Sequence, residues 1–231
     1  MRVAVQINTE RVFALKNVRL FFKKSGALRF VSHLDMNRVM TRLLRLSKVP
    51  VWYTEGFNRH PYITFALPLS LGFTSEYEVM DFRLDNDEFD VKSAEKMISD
   101  VCPDGIEVIE LKEPIFKSGK IAFADFEVTF FADSGANAEG LKHFLELPEI
   151  IVSKKTKKGN LKEIDLSEKI KNFEVIQGEE VKLTLRLPAG GEDNVNPKIL
   201  IDKYLSGLEN GNGFYDVVRT GLFLADGTKF E

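Results

Sequence analysis

The order of strand and helix patterns between Val18 and Leu111 constrains the fold of this chain more than any other feature. A β-branched and aromatic segment precedes an amphipathic helix pattern, two alternating segments, a second helix pattern and a short strand pattern. This β-α-β-β-α-β order is typical of ferredoxin-like α+β sandwiches. The predicted strands are Val18–Lys24, Tyr62–Leu67, Glu76–Leu84 and Ile106–Leu111, and the predicted helices run from Ser32 towards Pro50 and over Val91–Val101.

The second half repeats this order and adds a hairpin. Its predicted strands are Ala124–Phe131, Ile150–Lys154, Leu161–Leu166, Phe173–Gln177, Val181–Leu187 and Phe214–Leu224, and its predicted helices are Ala136–Leu147 and Pro197–Leu205. We therefore predict two tandem ferredoxin-like sandwiches with antiparallel sheets. Residues 1–17 form an N-terminal extension, residues 18–113 the first domain, and residues 114–231 the second domain with the extra hairpin.

Composition excludes several classes of protein. A single cysteine, Cys102, rules out a disulfide framework and an autonomous iron–sulfur cluster, and it fits a reducing cytoplasm. No apolar run approaches the roughly 18 residues that a membrane-spanning helix needs. His33 and Asp35 are too close in sequence to share a helix face as metal ligands, and no phosphate-binding loop or dinucleotide fingerprint is present. We predict a cytoplasmic protein with no cofactor, no bound metal and no membrane contact.

Charge is strongly polarised along the chain. Residues 19–60 contain nine Lys or Arg and two acids, a formal charge of +7, whereas residues 76–113 contain thirteen acids and four bases, a formal charge of −9. The whole chain has a net charge of −3, which argues against non-specific coating of nucleic acid. The polarity indicates one face for an anionic partner.

The helix that opens at Ser32 and the loop that follows it carry the candidate binding groups. Ser32 and Asp35 form a capping-box-like pair, and Arg38, Arg42 and Arg45 share the side opposite the apolar residues. Arginine binds phosphate and aromatic faces stack on bases, so the exposed aromatics Trp52, Tyr53 and Phe57 would complete an RNA surface. The alternative is a solvated helix face with Trp52 and Phe57 in the core. The predicted binding residues are Arg29, Arg38, Arg42, Glu55, Phe57, Asn58, Arg59 and His60.

Two further features allow a functional and a purely structural interpretation. His33, with Tyr53 and the arginines, could supply metal-free acid–base chemistry on a phosphodiester, or it could merely occupy the first turn of its helix. A basic hairpin tip could clamp a phosphate backbone or form a solvated sheet edge. That secondary patch consists of Lys154, Lys155, Lys157 and Lys158.

The run LRFVSHLD, the helix with Arg38 and Arg42, and the segment VPVWYTEGFNRHPYITFALPLSLGFTSEYEVMDFRL resemble the bacterial radical SAM-linked protein family. The GFN-x-HP loop with the upstream SHLD carries most of the resemblance, and the KKGNLKEIDL segment adds to it. That family is a domain of unknown function, fused to a radical SAM protein or encoded beside one. The resemblance therefore implies a radical SAM protein as a partner, without a catalytic residue. The style of fold and surface is more distantly similar to CRISPR RAMP-type endoribonucleases.

These observations predict a non-catalytic accessory protein of a radical SAM enzyme that binds RNA, or presents a substrate, through its basic face. One alternative is a metal-independent endoribonuclease with His33 as the acid or base. The other is a protein–protein adaptor with no nucleic-acid role. The sequence leaves open whether the protein is an enzyme.

Overall fold

The computed structural model describes residues 14–155, 161–191, 193–209, 211 and 213–231. In the first half the elements are β1 Lys16–Lys24, α1 His33–Ser47, β2 Ile63–Phe65, β3 Thr74–Leu84, α2 Val91–Ser99 and β4 Ile106–Lys112. In the second half they are β5 Phe123–Phe130, α3 Ala138–Leu145, β6 Ile151–Lys155, β7 Leu161–Asp165, β8 Lys171–Gln177, β9 Val181–Pro188, α4 Pro197–Ser206 and β10 Tyr215–Phe223.

One eight-stranded sheet runs through both halves. Seven of its strands follow the order β4-β1-β3-β10-β5-β9-β8, and β2 pairs with β3 off this path. The pairs within each half are antiparallel, whereas β3 and β10, which join the halves, are parallel. The remaining strands, β6 and β7, form a separate hairpin inserted between α3 and β8.

The α+β class and the antiparallel pairing predicted from the sequence are confirmed. Each half repeats one strand order, β4-β1-β3-β2 in the first and β10-β5-β9-β8 in the second. The predicted extra hairpin is the β6–β7 pair. The structure adds the join between β3 and β10, and β1 begins at Lys16, inside the segment predicted to be an extension. The division into two domains at residues 113 and 114 stays a prediction.

Helix α1 forms where the sequence signals agree. The Ser32 side chain accepts a hydrogen bond from the backbone N–H of Asp35, which satisfies a free donor of the first turn. Met36, Met40 and Leu44 recur at helical spacing and are buried. Lys48 takes a left-handed conformation at the end of the helix, and the chain turns back towards the sheet. The apolar face is therefore fixed inward, and the arginines of α1 face outward.

Two buried clusters form the core. The first packs α1 and α2 against one face of the first half's strands and includes the fully buried Leu20, Phe22 and Met80. The second lies within the second half but also includes Phe21 and Val79, from β1 and β3. Because β1 and β3 contribute to both clusters, the halves share apolar contacts as well as strand pairing.

A buried ion pair lies at the junction between the halves. The Arg219 guanidinium on β10 donates through Nη2 to Glu78 on β3 at 2.6 Å and to the Leu67 carbonyl at 2.9 Å. The Ser75 hydroxyl donates to the Arg219 carbonyl at 3.2 Å. The parallel β3–β10 pairing is short, so these side-chain bonds supplement its backbone bonds.

Candidate nucleic-acid interface

A groove of about 950 Å³ separates the outer face of α1 from the chain that follows it. The α1 wall includes His33, Arg38, Arg42 and Arg45, and the opposite wall includes His60. The other lining residues are Leu34, Asn37, Thr41, Thr54, Pro61, Tyr62 and Ile63. The lining therefore contains three arginines and no carboxylate, so it suits an anionic ligand.

Sequence spacing places the α1 wall. Residues three and four apart lie on one helix face, so Arg38, Arg42 and Arg45 project together above the buried stripe. Arg38 donates to Asp35 at 2.7 Å, but both side chains are exposed, and such a pair stabilises little. Arg42 and Arg45 are exposed and make no hydrogen bond or ion pair with any residue that the structure describes.

The Asp35 carboxylate is a feature of the helix start. The Ser32 hydroxyl donates to it at 2.7 Å, and Arg38 binds its other oxygen. These hydrogen bonds, that of Ser32 first, hold the pKa of Asp35 below its usual value. Asp35 therefore stays ionised and partly offsets the charge of Arg38, while the charges of Arg42 and Arg45 remain.

The opposite wall is built by a closed loop. Trp52 donates its backbone N–H to the Arg83 carbonyl of β3, and Thr54 donates to the His60 carbonyl at 2.9 Å. Tyr53 and Pro61 form a β-bridge, so the loop leaves and returns at adjacent positions. The loop needs glycine at position 56, where φ is +117°.

His60 has a defined tautomer. Its Nδ1 lies 2.9 Å from the Asn58 carbonyl oxygen, so Nδ1 carries the hydrogen and donates it. In this tautomer the lone pair lies on Nε2, which can accept a hydrogen bond. Thr54 supports the ring, since its Oγ1 lies 3.3 Å from Nδ1 and accepts the His60 backbone N–H.

His33 lies at the first turn of α1 on the groove wall. Its ring contacts Phe65 edge to face with centroids 5.2 Å apart. The Asn37 amide lies 3.2 Å from His33 Nε2 and also donates to the His33 carbonyl at 2.9 Å. His33 therefore has both a structural contact and an exposed position on the groove.

Tyr62 supplies an aromatic face in the groove. It is partly exposed, and its ring packs against Trp52 with centroids 5.9 Å apart. The Arg83 guanidinium lies 4.7 Å from the Tyr62 ring centroid and 5.4 Å from that of Trp52. A cation–π contact with Arg83 thus helps to hold the Tyr62 ring in place. Trp52 is half-buried, in contrast to the predicted exposure.

Six predicted site residues do not line the groove: Arg29, Tyr53, Glu55, Phe57, Asn58 and Arg59. Arg29 donates from both terminal nitrogens to Asp216 of β10 and from Nε to the Gly72 carbonyl, so its charge is neutralised inside the protein. Tyr53 is half-buried and packs against the first core cluster. Arg29 and Tyr53 therefore do not meet the other predicted groups at the groove, because both side chains make contacts within the fold.

The loop tip also lies beside the groove lining. Glu55, Phe57, Asn58 and Arg59 are exposed, and Phe57 is fully so, in contrast to the alternative that placed it in the core. In the secondary patch, Lys157 and Lys158 lie outside the described residues. The side chains of Lys154 and Lys155 do too, although their backbone belongs to β6.

Comparison with known protein families identifies the family to which the chain belongs. Residues 17–197 match the family model described as an uncharacterized protein conserved in bacteria, DUF2344. The chain belongs to the DUF2344 family. The matched span includes every lining residue of the groove, whereas β10 with Arg219 lies beyond it.

Other comparisons add only a distant likeness to the DUF2344 chain. A chain of the structure described as "Crystal Structure of a Cbf5-Nop10-Gar1 Complex" shares 13% identity with a TM-score of 0.49. The match covers 88% of the DUF2344 chain and 48% of that chain, so the DUF2344 chain spans about half of its length. None of the curated proteins compared with it matches.

The described part of the DUF2344 chain shows no metal-binding cluster and no membrane-spanning helix. It holds no group of three or more His, Cys, Asp or Glu placed to bind a metal ion. No helix among its described residues has the length and apolar character needed to cross a bilayer.

Sequence reasoning missed part of the lining. Asn37 and Thr41 follow His33 at intervals of four, so the helical period could have found them. Thr54, Tyr62 and Ile63 had no such signal, because their position depends on how the loop closes and where β2 pairs.

Proposed function

We propose that this protein binds single-stranded RNA in the groove between α1 and residues 54–63, as a non-catalytic accessory protein of a radical SAM enzyme. The observation that carries the proposal is a lining with three arginines and no carboxylate, in which Arg42 and Arg45 have no partner among the described residues. Guanidinium groups bind phosphate oxygens well. A bound phosphate would therefore supply the ion-pair partner that Arg42 and Arg45 each lack among the described residues.

The single-stranded form is favoured by the aromatic groups. Tyr62 is partly exposed in the groove with its ring supported by Arg83, and Phe57 is fully exposed at the loop tip. Aromatic faces stack on bases only where the bases are unpaired. Backbone contacts from arginines and stacking from these rings would bind RNA with little sequence preference.

The radical SAM partner rests on the resemblance of the SHLD and GFN-x-HP motifs. The exposed loop tip, with Glu55, Phe57 and Arg59, offers a surface for that partner beside the RNA groove. A pull-down with the neighbouring radical SAM protein tests this part. We expect capture to survive ribonuclease and to be lost in Phe57→Ala with Arg59→Glu. Loss of capture on ribonuclease treatment alone would instead mean that RNA bridges the two proteins.

The RNA proposal is tested by the salt dependence of binding to a fluorescent single-stranded oligonucleotide. For single strands the slope of log affinity against log salt is about −0.7 per phosphate neutralised, so three arginines give about −2. We expect Arg42→Gln with Arg45→Gln to reduce the slope to about −0.7 and to weaken binding.

The matched control is Lys92→Gln with Lys96→Gln on α2, where both lysines are exposed and pair with their own helix's acids. This control should keep the slope of the unaltered protein. Equal slopes for the two double variants, or no RNA binding by the unaltered protein, would refute the proposal.

A second candidate, metal-independent cleavage of RNA, is favoured by one observation: His33 and His60 line the same groove. One histidine could accept the proton of the attacking hydroxyl while the other protonates the leaving oxygen, with an arginine stabilising the phosphorane. Incubation of RNA in EDTA with the unaltered protein, His33→Ala and His60→Ala tests it. Cleavage that both variants abolish would establish the enzyme; identical RNA profiles in all three would exclude it.

A further inference from the structure

A second, smaller cavity of about 180 Å³ lies between the two halves of the molecule. One wall comes from the segment after β2, with Leu67, Ser70 and Phe73, and the other from the start of α4 and the strands beside it. Arg219 also lines it. The cavity is separate from the RNA groove, with which it shares no lining residue.

The cavity borders a buried charge imbalance. Lys24 is 3% exposed, Glu78 2% and Arg219 1%, so three buried ionisable groups sum to a formal +1. Lys24 interacts electrostatically with both other groups, and burial lowers the pKa of its ammonium. Buried charges in proteins are usually compensated. Among the described residues this cluster has one carboxylate for two cations.

The Arg219 guanidinium makes only part of the hydrogen bonds that it could donate. Its Nη2 makes both of its side-chain bonds, to Glu78 and to the Leu67 carbonyl. Its Nε is buried and has no hydrogen-bond partner among the described residues. A buried N–H left without an acceptor costs free energy, because it has lost its hydrogen bond to water. Nη2 is thus the only guanidinium nitrogen of Arg219 that is hydrogen-bonded to a described residue.

The start of α4 and Ser70 add polar groups to an otherwise mostly apolar lining. Asn196 caps α4 and donates from its side chain to Ser70 Oγ at 3.0 Å, which leaves the Ser70 hydroxyl hydrogen without an acceptor among the described residues. The cap and first turn already use the backbone N–H groups of Lys198 and Ile199. Helix α4 therefore contributes the field of its dipole rather than free N–H groups.

From this arrangement we propose that the cavity binds a small tetrahedral oxyanion, a free phosphate or the terminal phosphate of a larger ligand. The Arg219 guanidinium and the Ser70 hydroxyl donate to different oxygens, and the anion's charge balances the cluster of Lys24, Glu78 and Arg219. A flat carboxylate is less suited, because Nη2 belongs to both two-donor edges of the guanidinium and is already occupied. The site is independent of the proposed RNA groove.

Inorganic phosphate is the probe, and the readouts are the thermal midpoint and calorimetric titration, with chloride at equal ionic strength as the reference. We expect phosphate, and not chloride, to raise the midpoint of the unaltered protein. Ser70→Ala should weaken phosphate binding about tenfold, the factor expected for one hydrogen bond to a charged group. Ala189→Leu, which extends a buried cavity-wall side chain into the space, should abolish it.

Removing the guanidinium alone would leave Glu78 unpaired, so the decisive variant is Glu78→Gln with Arg219→Gln. It should bind no phosphate, whereas Asp125→Asn with Arg186→Gln, which removes another arginine–carboxylate pair, should bind normally. Arg42→Gln with Arg45→Gln should also bind phosphate normally, which separates this site from the groove.

Competition by 5′-phosphorylated but not 5′-hydroxyl RNA would identify a terminal phosphate as the ligand. Absence of such competition would identify a free phosphate ion as the ligand. No phosphate effect in the unaltered protein, or an undiminished one in the decisive variant or in Ala189→Leu, overturns the proposal.

Discussion

Gly56 illustrates how one residue controls the groove wall. Its φ of +117° lies where L-residues with a side chain are strained, although an added Cβ would contact nothing within 4 Å. We expect Gly56→Ala to lower the free energy of unfolding by about 1–3 kcal/mol and to weaken RNA binding, since the strain distorts the loop that holds His60. Urea unfolding and RNA titration provide the measurements.

Gly119→Ala is the matched control for that change. Gly119 also has open space around it and lacks a left-handed φ, so the substitution should change stability by less than about 0.5 kcal/mol. If Gly56→Ala behaves like this control, the loop tolerates a side chain at position 56 and the backbone argument is wrong.

Cys102 permits a test of local burial. It is half-buried, its thiol lies 3.4 Å from the Ile98 carbonyl oxygen, and burial raises its pKa. Less thiolate is then present at a given pH, so the folded protein should react with a thiol reagent at pH 8 more slowly than the urea-unfolded chain. Equal rates in the two states would show that Cys102 is accessible in the native fold.

At the scale of elements, the start of α1 couples helix stability to the groove. Ser32→Ala removes both the N-cap acceptor and the donor to Asp35, and it should destabilise the protein by about 1 kcal/mol at pH 7. Chemical unfolding measures the effect. Arg38→Ala is the control, because removing one partner of an exposed ion pair should change stability much less.

The hydrogen bonds between Ser32 and Asp35 also predict that the stability of the protein depends on pH. The folded pKa of Asp35 is depressed, so its contribution to stability is present above the unfolded pKa of about 3.9 and is lost as pH falls through the folded value. Since Ser32 is the largest cause, the stability difference between the unaltered protein and Ser32→Ala should narrow between pH 5 and about pH 2. A difference constant across that range would contradict it.

The sequence predicts α1 well because its local signals agree. The cap at Ser32, the apolar period and the break near Pro50 all act within the helix itself. The arginine face follows from the same period, so the α1 wall of the groove was predictable. The opposite wall was less predictable from the sequence. Its position depends on the hydrogen bond from the Trp52 backbone N–H to the Arg83 carbonyl of β3, which forms only when the sheet assembles.

Contacts between distant segments account for most of what the sequence could not predict. In the sequence, Arg29 is one of several cations in the basic segment. In the structure it binds Asp216, which lies 187 residues away. Lys24 and Arg219 likewise read as surface charges in strand patterns and are buried at the junction. Alternation predicts which face a residue occupies, but it gives no information on which strand becomes its neighbour.

For the whole molecule, the join between β3 and β10 implies that the halves unfold together. They share a sheet, the second core cluster includes Phe21 and Val79 from the first half, and the Arg219–Glu78 pair bridges the join. Trp52 is the only tryptophan, so its fluorescence reports the first half, whereas far-ultraviolet circular dichroism reports all strands and helices. We expect the two urea transitions to coincide, as two-state unfolding requires.

Glu78→Gln tests what the buried pair adds to this coupling. It leaves Arg219 and Lys24 as buried cations without a carboxylate, so we expect a loss of about 3–5 kcal/mol in the free energy of unfolding. Asp125→Asn is the control, because it breaks the partly exposed pair with Arg186 inside the second half and should cost considerably less.

If the junction couples the halves mainly through the Arg219–Glu78 pair, the Trp52 and circular dichroism midpoints should separate in Glu78→Gln and stay together in Asp125→Asn. Coincident midpoints in both would assign the coupling to the shared core and strand pairing instead.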